Sequence, residues 1–236
     1  MAPSTHARHE KPAASSEAIE DYAKAIYALS RRSVGAVGTS ALAARLGVAP
    51  ATATAMLKRL DRMGLVDHEP YHGVSLTPAG ERVALEVIRH HRLLESYLSE
   101  ALGMPWDRVH EEAEVLEHYI SEELENLIAA KLGEPSYDPH GDPIPGPDLE
   151  FHELEDSRPL EALEDGEAAT FTRVSDSDSQ MLRYLAERGI RPGARVRVKG
   201  RQPFGGPLFV EVDGTEHALG GELVRRIRVS ALRGGE

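Results

Sequence analysis

A chain of 236 residues, 41% hydrophobic and 28% charged, has the composition of an ordinary soluble globular protein, with room for one large domain or two to three small ones. Having no cysteine, it has no disulfide, no thiolate metal site and no cysteine nucleophile, and no stretch approaches the roughly 20 apolar residues that span a bilayer. The net charge of -12 argues against nucleic acid as a partner of the whole surface, yet between Thr39 and Leu65 four bases (Arg45, Lys58, Arg59, Arg62) face one acid, Asp61.

Residues 1–16 lack an apolar core and read as a disordered arm, not a secretory signal. The absence of cysteine fits a cytoplasmic protein, which is the expected location. A first helix is predicted over about Glu17 to Arg31, capped by Ser15 or Ser16, with Ile19, Tyr22, Ile26 and Leu29 as its apolar stripe. "VGAVG" ends it. In "TSALAARLGVAPATATAMLKRLDRMGLV", Thr39 or Ser40 starts a short helix, Gly47 suits the left-handed position after it, and Pro50 opens a second helix. Met56, Leu57, Leu60 and Met63 give that helix its apolar side, and Gly64 ends it. Two short helices joined by a glycine turn read as a helix-turn-helix. "LVDHEPYHGVSL" adds a two-stranded wing, so residues 17–76 form a winged helix-turn-helix.

"TPAGE" restarts a helix with Thr77 as cap, running to about Ala101, and Val87, His91, Leu94 and Leu98 share one face of it. "GMPW" interrupts, and a further helix is predicted from Asp107 to about Leu132; residues 77–134 make a helical domain. Residues 135–159, with "EPSYDPHGDPIPGPD", are too rich in proline and glycine for regular structure and read as a linker or ordered crossing. From residue 160 to 236, "EAATFTRV", "ARVRVKG", "LFVEVDG" and "RRIRV" read as strands, with one helix over about Ser179 to Arg188. The fold class is therefore mainly α with a small SH3-like β-barrel at the end.

The segment "HEEAEVLEHYISEELE" from His110 to Glu125 carries seven acids and no base. At about 100° per residue, Val115, Leu116, Tyr119, Ile120, Leu124 and Leu127 fall on one side, the expected core face. Glu114, Glu117 and His118 converge at i, i+3 and i+4, with His110 one turn earlier. His91 and Glu95 repeat the i, i+4 pattern on the preceding helix. Spacing alone leaves two readings open: a solvated acidic face, or carboxylates and imidazoles gathered for a divalent cation. No Glu-x-x-His repeat occurs on the acidic helix, which counts against di-iron carboxylate chemistry.

The order of parts resembles the metal-dependent repressors of the diphtheria-toxin-repressor type over about residues 17 to 232. The resemblance is carried by "EDYAKAIYAL", "GLVDHEPYHGVSLTPAGE", "HHRLLESYL", "VHEEAEVLEHYISEELE" and "PHGDPIPG", in that order. It implies a winged helix-turn-helix, a helical dimerisation domain and a terminal FeoA-like barrel. It also implies a homodimer on double-stranded palindromic operator DNA, with no membrane and no small-molecule substrate. Its primary metal site maps onto Asp21, Glu114, Glu117 and His118. Its ancillary site maps onto His91, Glu95 and His110, with Asp178 as an acidic ligand from the barrel. Iron-responsive members carry Met and Cys where this chain has Asp21 and Glu114. A donor set of oxygen and imidazole is harder and favours Mn(II). Fe(II) is the alternative, with Zn(II), Co(II) or Cd(II) as surrogates. Lys24 stands where the short manganese regulators of the family place a ligand glutamate, so their two-metal arrangement does not carry over. The family meets base edges with the residues that match Pro50, Ala51, Thr52 and Thr54; Lys58, Arg59 and His72 are phosphate candidates. The expected function is a manganese-dependent repressor of metal-uptake genes that is not an enzyme. An iron-responsive regulator is the runner-up, and a carboxylate metallo-enzyme comes behind it, because no nucleophile constellation, phosphate loop or positioned base accompanies the acids.

Overall fold

The computed structural model describes residues 13–31, 35–69, 72–151, 156–176 and 178–232. They form two compact units that part between Ile88 and Arg89.

The first unit holds α1 (Ala13–Ser30), α2 (Thr39–Leu46), α3 (Pro50–Arg62), the strands β1 (Val66–Glu69) and β2 (Gly73–Leu76), and the start of α4 (Pro78–Ser96). Gly47 ends α2 at φ 64 and Pro50 opens α3, as the helix-turn-helix reading requires. β1 and β2 pair antiparallel from Val66 opposite Leu76 to Glu69 opposite Gly73. Leu42, Ala53, Leu57 and Leu60 pack with Tyr22, Ala25 and Ile26 of α1 and with Val66 and Val74 of the wing. The hydroxyl of Thr77 accepts from the Gly80 amide at 3.2 Å and donates to the Gly64 carbonyl at 2.7 Å, so the cap of α4 also ties it to the wing. Two expectations shift. The first helix begins at Ala13, so Ser16 lies within it and its hydroxyl donates to Glu20 at 2.7 Å instead of capping. Met63 is outside α3 and exposed, because Gly64 turns the chain there. The arm assigned to residues 1–16 lies outside the described residues up to position 12, as do Pro70 and Tyr71 at the wing tip.

The second unit contains the end of α4, a π-helical turn at Tyr97–Ala101, then α5 (Val109–Leu116) and α6 (Glu122–Leu132). After the crossing come β3 (Arg158–Pro159), β4 (Ala168–Val174), α7 (Ser179–Ala186), β5 (Arg195–Arg201), β6 (Leu208–Val212), β7 (Thr215–Leu219), α8 (Gly221–Arg226) and β8 (Ile227–Ala231). The sheet is antiparallel in the order β3-β8-β4-β5-β6-β7 and encloses one apolar core. β7 and α8 were not anticipated; "TEHAL" is too polar to announce a strand on its own.

The helix expected from Asp107 to Leu132 is broken. α5 stops at Leu116, and Ser121 turns extended (φ -89, ψ 157) to cap α6, its hydroxyl accepting from the Leu124 amide at 3.3 Å. A projection carried through that break loses phase beyond Leu116, which accounts for Tyr119, Leu124 and Leu127 but not for Val115 and Leu116 within α5. Val115, Leu116, Tyr119, Leu124 and Leu127, expected in the core, are exposed, with Tyr119 at 64%. Val109, Ala113, Ile128 and Ala129 are buried in their place.

The crossing is ordered where it meets the barrel. Val174 donates its amide to the His140 carbonyl at 3.0 Å. Gly141 sits at φ +86, and a Cβ there would lie 1.8 Å from the Thr172 carbonyl oxygen, so only glycine fits. Arg173 pairs with Asp142 at 2.6 Å, and Trp106 of the helical part is buried in the barrel core.

Candidate metal centre and DNA-facing surface

α4 and α5 bring His91, Glu95 and His110 together, and the end of β4 adds Asp176. His91 Nε2 lies 3.0 Å from Glu95 Oε1 and 3.0 Å from His110 Nδ1. His110 Nδ1 is 3.2 Å from Glu95 Oε1 and 3.4 Å from Asp176 Oδ2. These four donor atoms lie within 4.8 Å of one another. Two facing imidazole nitrogens cannot both carry protons, so lone pairs converge here as they do around a cation.

Asp178 does not belong to this group. Its carboxylate accepts from the amides of Gln180 and Met181, both at 3.1 Å, as the cap of α7. An aspartate directly before a helix is a capping signature. That rule, applied to "SDSDSQ", reserves Asp178 for the cap and leaves Asp176 as the aspartate beside the cluster.

The two expected ligand sets are not separate. His91 Nδ1 lies 2.5 Å from Glu117 Oε2 and 3.9 Å from Glu114 Oε1, joining the ancillary histidine to the primary acids. His118 Nε2 is 3.6 Å from Glu117 Oε1. Glu117 is buried, His118 is half-buried, and Glu114 is exposed. Asp21 lies half-buried on α1 in the first unit.

A third group escaped the sequence reading. Glu95, Asp138 and His140 converge, all three buried. His140 Nδ1 lies 3.6 Å from Glu95 Oε2, while its Nε2 is 2.8 Å from the Trp106 carbonyl. Glu95 Oε2, Asp138 Oδ2 and His140 Nδ1 are buried without a hydrogen-bond partner. Such orphans are costly unless something polar completes them. A divalent cation fits this donor set of carboxylate and imidazole. The signal was in "DPHGD", where two acids and a histidine sit in a chain too rigid to wander.

Charge in this group is arranged unevenly. Burial alone would push the Glu95 carboxyl up, but the charge of His91 and the hydrogen bonds to His110 and His91, with His140 near its other oxygen, hold it well below the usual range. Burial, with the charges of Glu95 and Asp142, pushes Asp138 well above the usual range. Burial would lower His140, but the Glu95 carboxylate 3.6 Å away, then the charge of Asp138 and the Trp106 carbonyl, raise it to about 9.

On the first unit, Pro50, Ala51 and Thr52 are exposed at the start of α3. Thr54 is half-buried and donates its hydroxyl to the Pro50 carbonyl at 2.9 Å. A cleft of about 540 Å³ between α2, α3 and the wing is lined by Thr39, Ser40, Thr54, Lys58, His68 and His72, with Gly38 and Gly73. It gathers Thr54, Lys58 and His72 and adds Thr39, Ser40 and His68. Arg59 is exposed on the same helix outside the lining.

Three family models match in chain order. They are the iron dependent repressor N-terminal DNA binding domain over residues 15–74, the iron dependent repressor metal binding and dimerisation domain over 77–146, and the FeoA domain over 158–231. The iron-dependent repressor IdeR of Mycobacterium leprae is 30% identical over 229 residues, covering 90% of this chain and 96% of the relative. A diphtheria toxin repressor of Corynebacterium efficiens is 28% identical over 226 residues, covering 91% and 96%. Among solved structures, a manganese-dependent transcriptional repressor in complex with manganese is 45% identical, with a TM-score of 0.82, and covers 91% of this chain and 100% of its own. ScaR with bound Zn2+ is 31% identical, with a TM-score of 0.74, covering 91% and 99%. Among the described residues no helix is long and apolar enough to cross a membrane.

Two outcomes test the site. Asp176→Asn should weaken divalent-metal affinity about tenfold, whereas Asp178→Ala should leave it unchanged and cost about 1 kcal/mol of stability; calorimetric titration and denaturant unfolding separate the two, and the reverse pattern would restore Asp178 as the ligand. The second concerns pH. The His140 pKa is raised from 6.5 to about 9, so its contribution to metal-free stability is complete below 6.5 and is lost as pH rises through about 9. Melting temperature should fall across that window by several degrees in the wild type and much less in Glu95→Gln; equal falls in both would show that the Glu95–His140 pair is not the cause.

Proposed function

The chain belongs to the diphtheria-toxin-repressor family of metal-dependent transcriptional repressors, and from that premise we propose that it is a manganese-responsive repressor of metal-uptake genes. The observation that carries the choice of metal is the donor chemistry. The clusters of the second unit are built from carboxylate and imidazole with no sulfur, a set that favours Mn(II) over softer ions. The manganese-dependent structural neighbour at 45% identity supports the same reading, while the relative at 30% identity is named iron-dependent and keeps Fe(II) as the alternative.

A divalent cation supplies positive charge and a fixed coordination geometry. The chain's own residues do the rest. Asp21 is the proposed ligand from the DNA-binding unit, and Glu114, Glu117 and His118 are the ligands from the helical domain. Left uncompensated, these acids repel one another, and a state in which they sit together is disfavoured. Binding to that state alone shifts the population towards it. His91, Glu95, His110 and Asp176 make the second proposed site, with Asp138 and His140 beside it around the shared Glu95.

The exposed apolar residues Val115, Leu116, Tyr119, Leu124 and Leu127 are the proposed dimer face. Two recognition helices related by that dimer would address successive turns of a palindromic operator. Pro50, Ala51, Thr52 and the Thr54 methyl are proposed to meet base edges, and Lys58, Arg59 and His72 the phosphates. α3 offers no Asn, Gln or Arg near its start, so DNA shape carries much of the specificity in this reading.

Anaerobic titration of operator binding with Mn(II), Fe(II), Zn(II) and Co(II) tests the metal. Mn(II) is expected to activate fully, and Asp21→Ala or Glu114→Ala to abolish the metal response without unfolding the chain. Full activation by Fe(II) with none by Mn(II) would make this an iron regulator. On the DNA side, Lys58→Ala should weaken binding to all sequences alike and lower the salt slope by about one; a loss confined to the operator with the slope unchanged would place Lys58 on a base.

A further inference from the structure

Within the second unit the segment that carries Glu117 and His118 is not helical, and something other than helix must hold it. In a continuous helix the Glu117 carbonyl would accept from the amide of Ser121. Here α5 ends at Leu116 and Ser121 is extended as the cap of α6. His90 Nδ1, from α4, stands 3.1 Å from that carbonyl. The other ring nitrogen, Nε2, is 3.0 Å from Glu125 Oε2 on α6. Glu125 Oε1 pairs with Arg89 Nε, and Arg89 Nη1 donates to the Pro145 carbonyl at 2.6 Å.

We propose that His90 is a positioning residue for the metal ligands, a bridge that takes the place of the missing helical amide at Glu117 and fixes the Glu117–His118 turn against α4 and α6. Both of its partners, a carbonyl and a carboxylate oxygen, are acceptors, and each faces one ring nitrogen. Arg89 keeps the second acceptor in place. The side chains concerned are buried or nearly so, at 5% exposure for Arg89, 12% for His90 and 13% for Glu125, which limits competition from water. The Glu125 carboxyl is also held below the usual range, first by the hydrogen bond from His90 and then, against burial, by Arg89. His91, the next residue, reaches the Glu117 side chain from the same helix at 2.5 Å. Consecutive histidines therefore hold the carbonyl and the carboxylate of one residue. His90 is not a proposed ligand, and nothing in its role requires it to touch the cation.

The inference rests on the reading of Glu117 and His118 as ligands, but it makes a claim about the metal-free chain as well. The test uses the full chain and the variants His90→Leu and His90→Gln. Amide hydrogen exchange at residues 117–121 is measured without metal, and Mn(II) affinity is measured from the spectroscopic signal of the free ion. His90→Leu should speed exchange in that segment about tenfold and weaken Mn(II) binding by a similar factor, the range seen when a ligand's supporting hydrogen bond is removed. His90→Gln, which keeps one donor to the carbonyl, should recover part of both effects. Unchanged exchange at 117–121 in a folded His90→Leu protein would overturn the bridge. Faster exchange with Mn(II) affinity within twofold of wild type would overturn its role towards the ligands. A wild-type chain that fails to bind Mn(II) would remove the manganese reading while the metal-free exchange still decides the bridge.

Discussion

The carboxylate of Glu95 is fully buried, and a carboxylate taken out of water costs several kcal/mol unless charge and hydrogen bonds surround it. In the second unit three histidines do so: His91 and His110 at one oxygen, His140 at the other. Each of those rings comes from a different element, α4, α5 or the crossing. Solvating one acid therefore brings three elements together, and the arrangement that stabilises the fold is also the one that gathers ligands. Arg92 extends it, pairing with Asp142 at 3.3 Å and bringing a positive charge to 3.8 Å from Asp138.

The barrel's part in this follows from how it is attached. A free SH3-like module would close its own core; this one takes Trp106 from the segment between α4 and α5. Trp106 stacks on His140 with ring centroids 5.4 Å apart, and its carbonyl faces His140 Nε2. Gly141, the next residue, lets the crossing approach β4 to a distance no side chain permits. Arg183 of α7 reaches back to Asp107 at 3.1 Å. With β4 anchored this way, the residues after Val174 emerge at the histidine cluster, and Asp176 is delivered to His110 without a long flexible reach. The barrel thus brings a carboxylate to the histidine cluster, and the Pro- and Gly-rich stretch that reads as a linker is a structural joint.

How much of this was legible depends on whether a signal is local. Gly47, Pro50 and Thr77 act through their own backbone, so the helix-turn-helix and the start of α4 can be read from a few residues. His91 with Glu95 and His110 with Glu114 could be grouped from the sequence because a spacing of four puts each pair on one face of its helix. The break at 117–121 was not legible, since it depends on His90 and Glu125 from two other helices. Without it, the projection put Tyr119 and Leu127 in a core they do not enter. That Asp176, and not Asp178, stands beside His110 has the same origin. Two aspartates two residues apart look alike in sequence, and only the start of α7 decides which is consumed as a cap. Asp138 and His140 were visible as residue types, but their partner Glu95 is more than 40 positions away in the chain.

The charge pattern around Glu95 bears on why such a cluster suits a sensor. Glu95 is held ionised, Asp138 is pushed towards its neutral form, and His140 is raised to about 9. The three groups whose orphaned atoms converge are therefore biased differently, Glu95 towards its ionised form, Asp138 and His140 towards their protonated forms. Ligands must give up such protons to bind a cation. Any cation that this group took up would therefore compete with protons at His140 and Asp138, and the competition would weaken as pH rises.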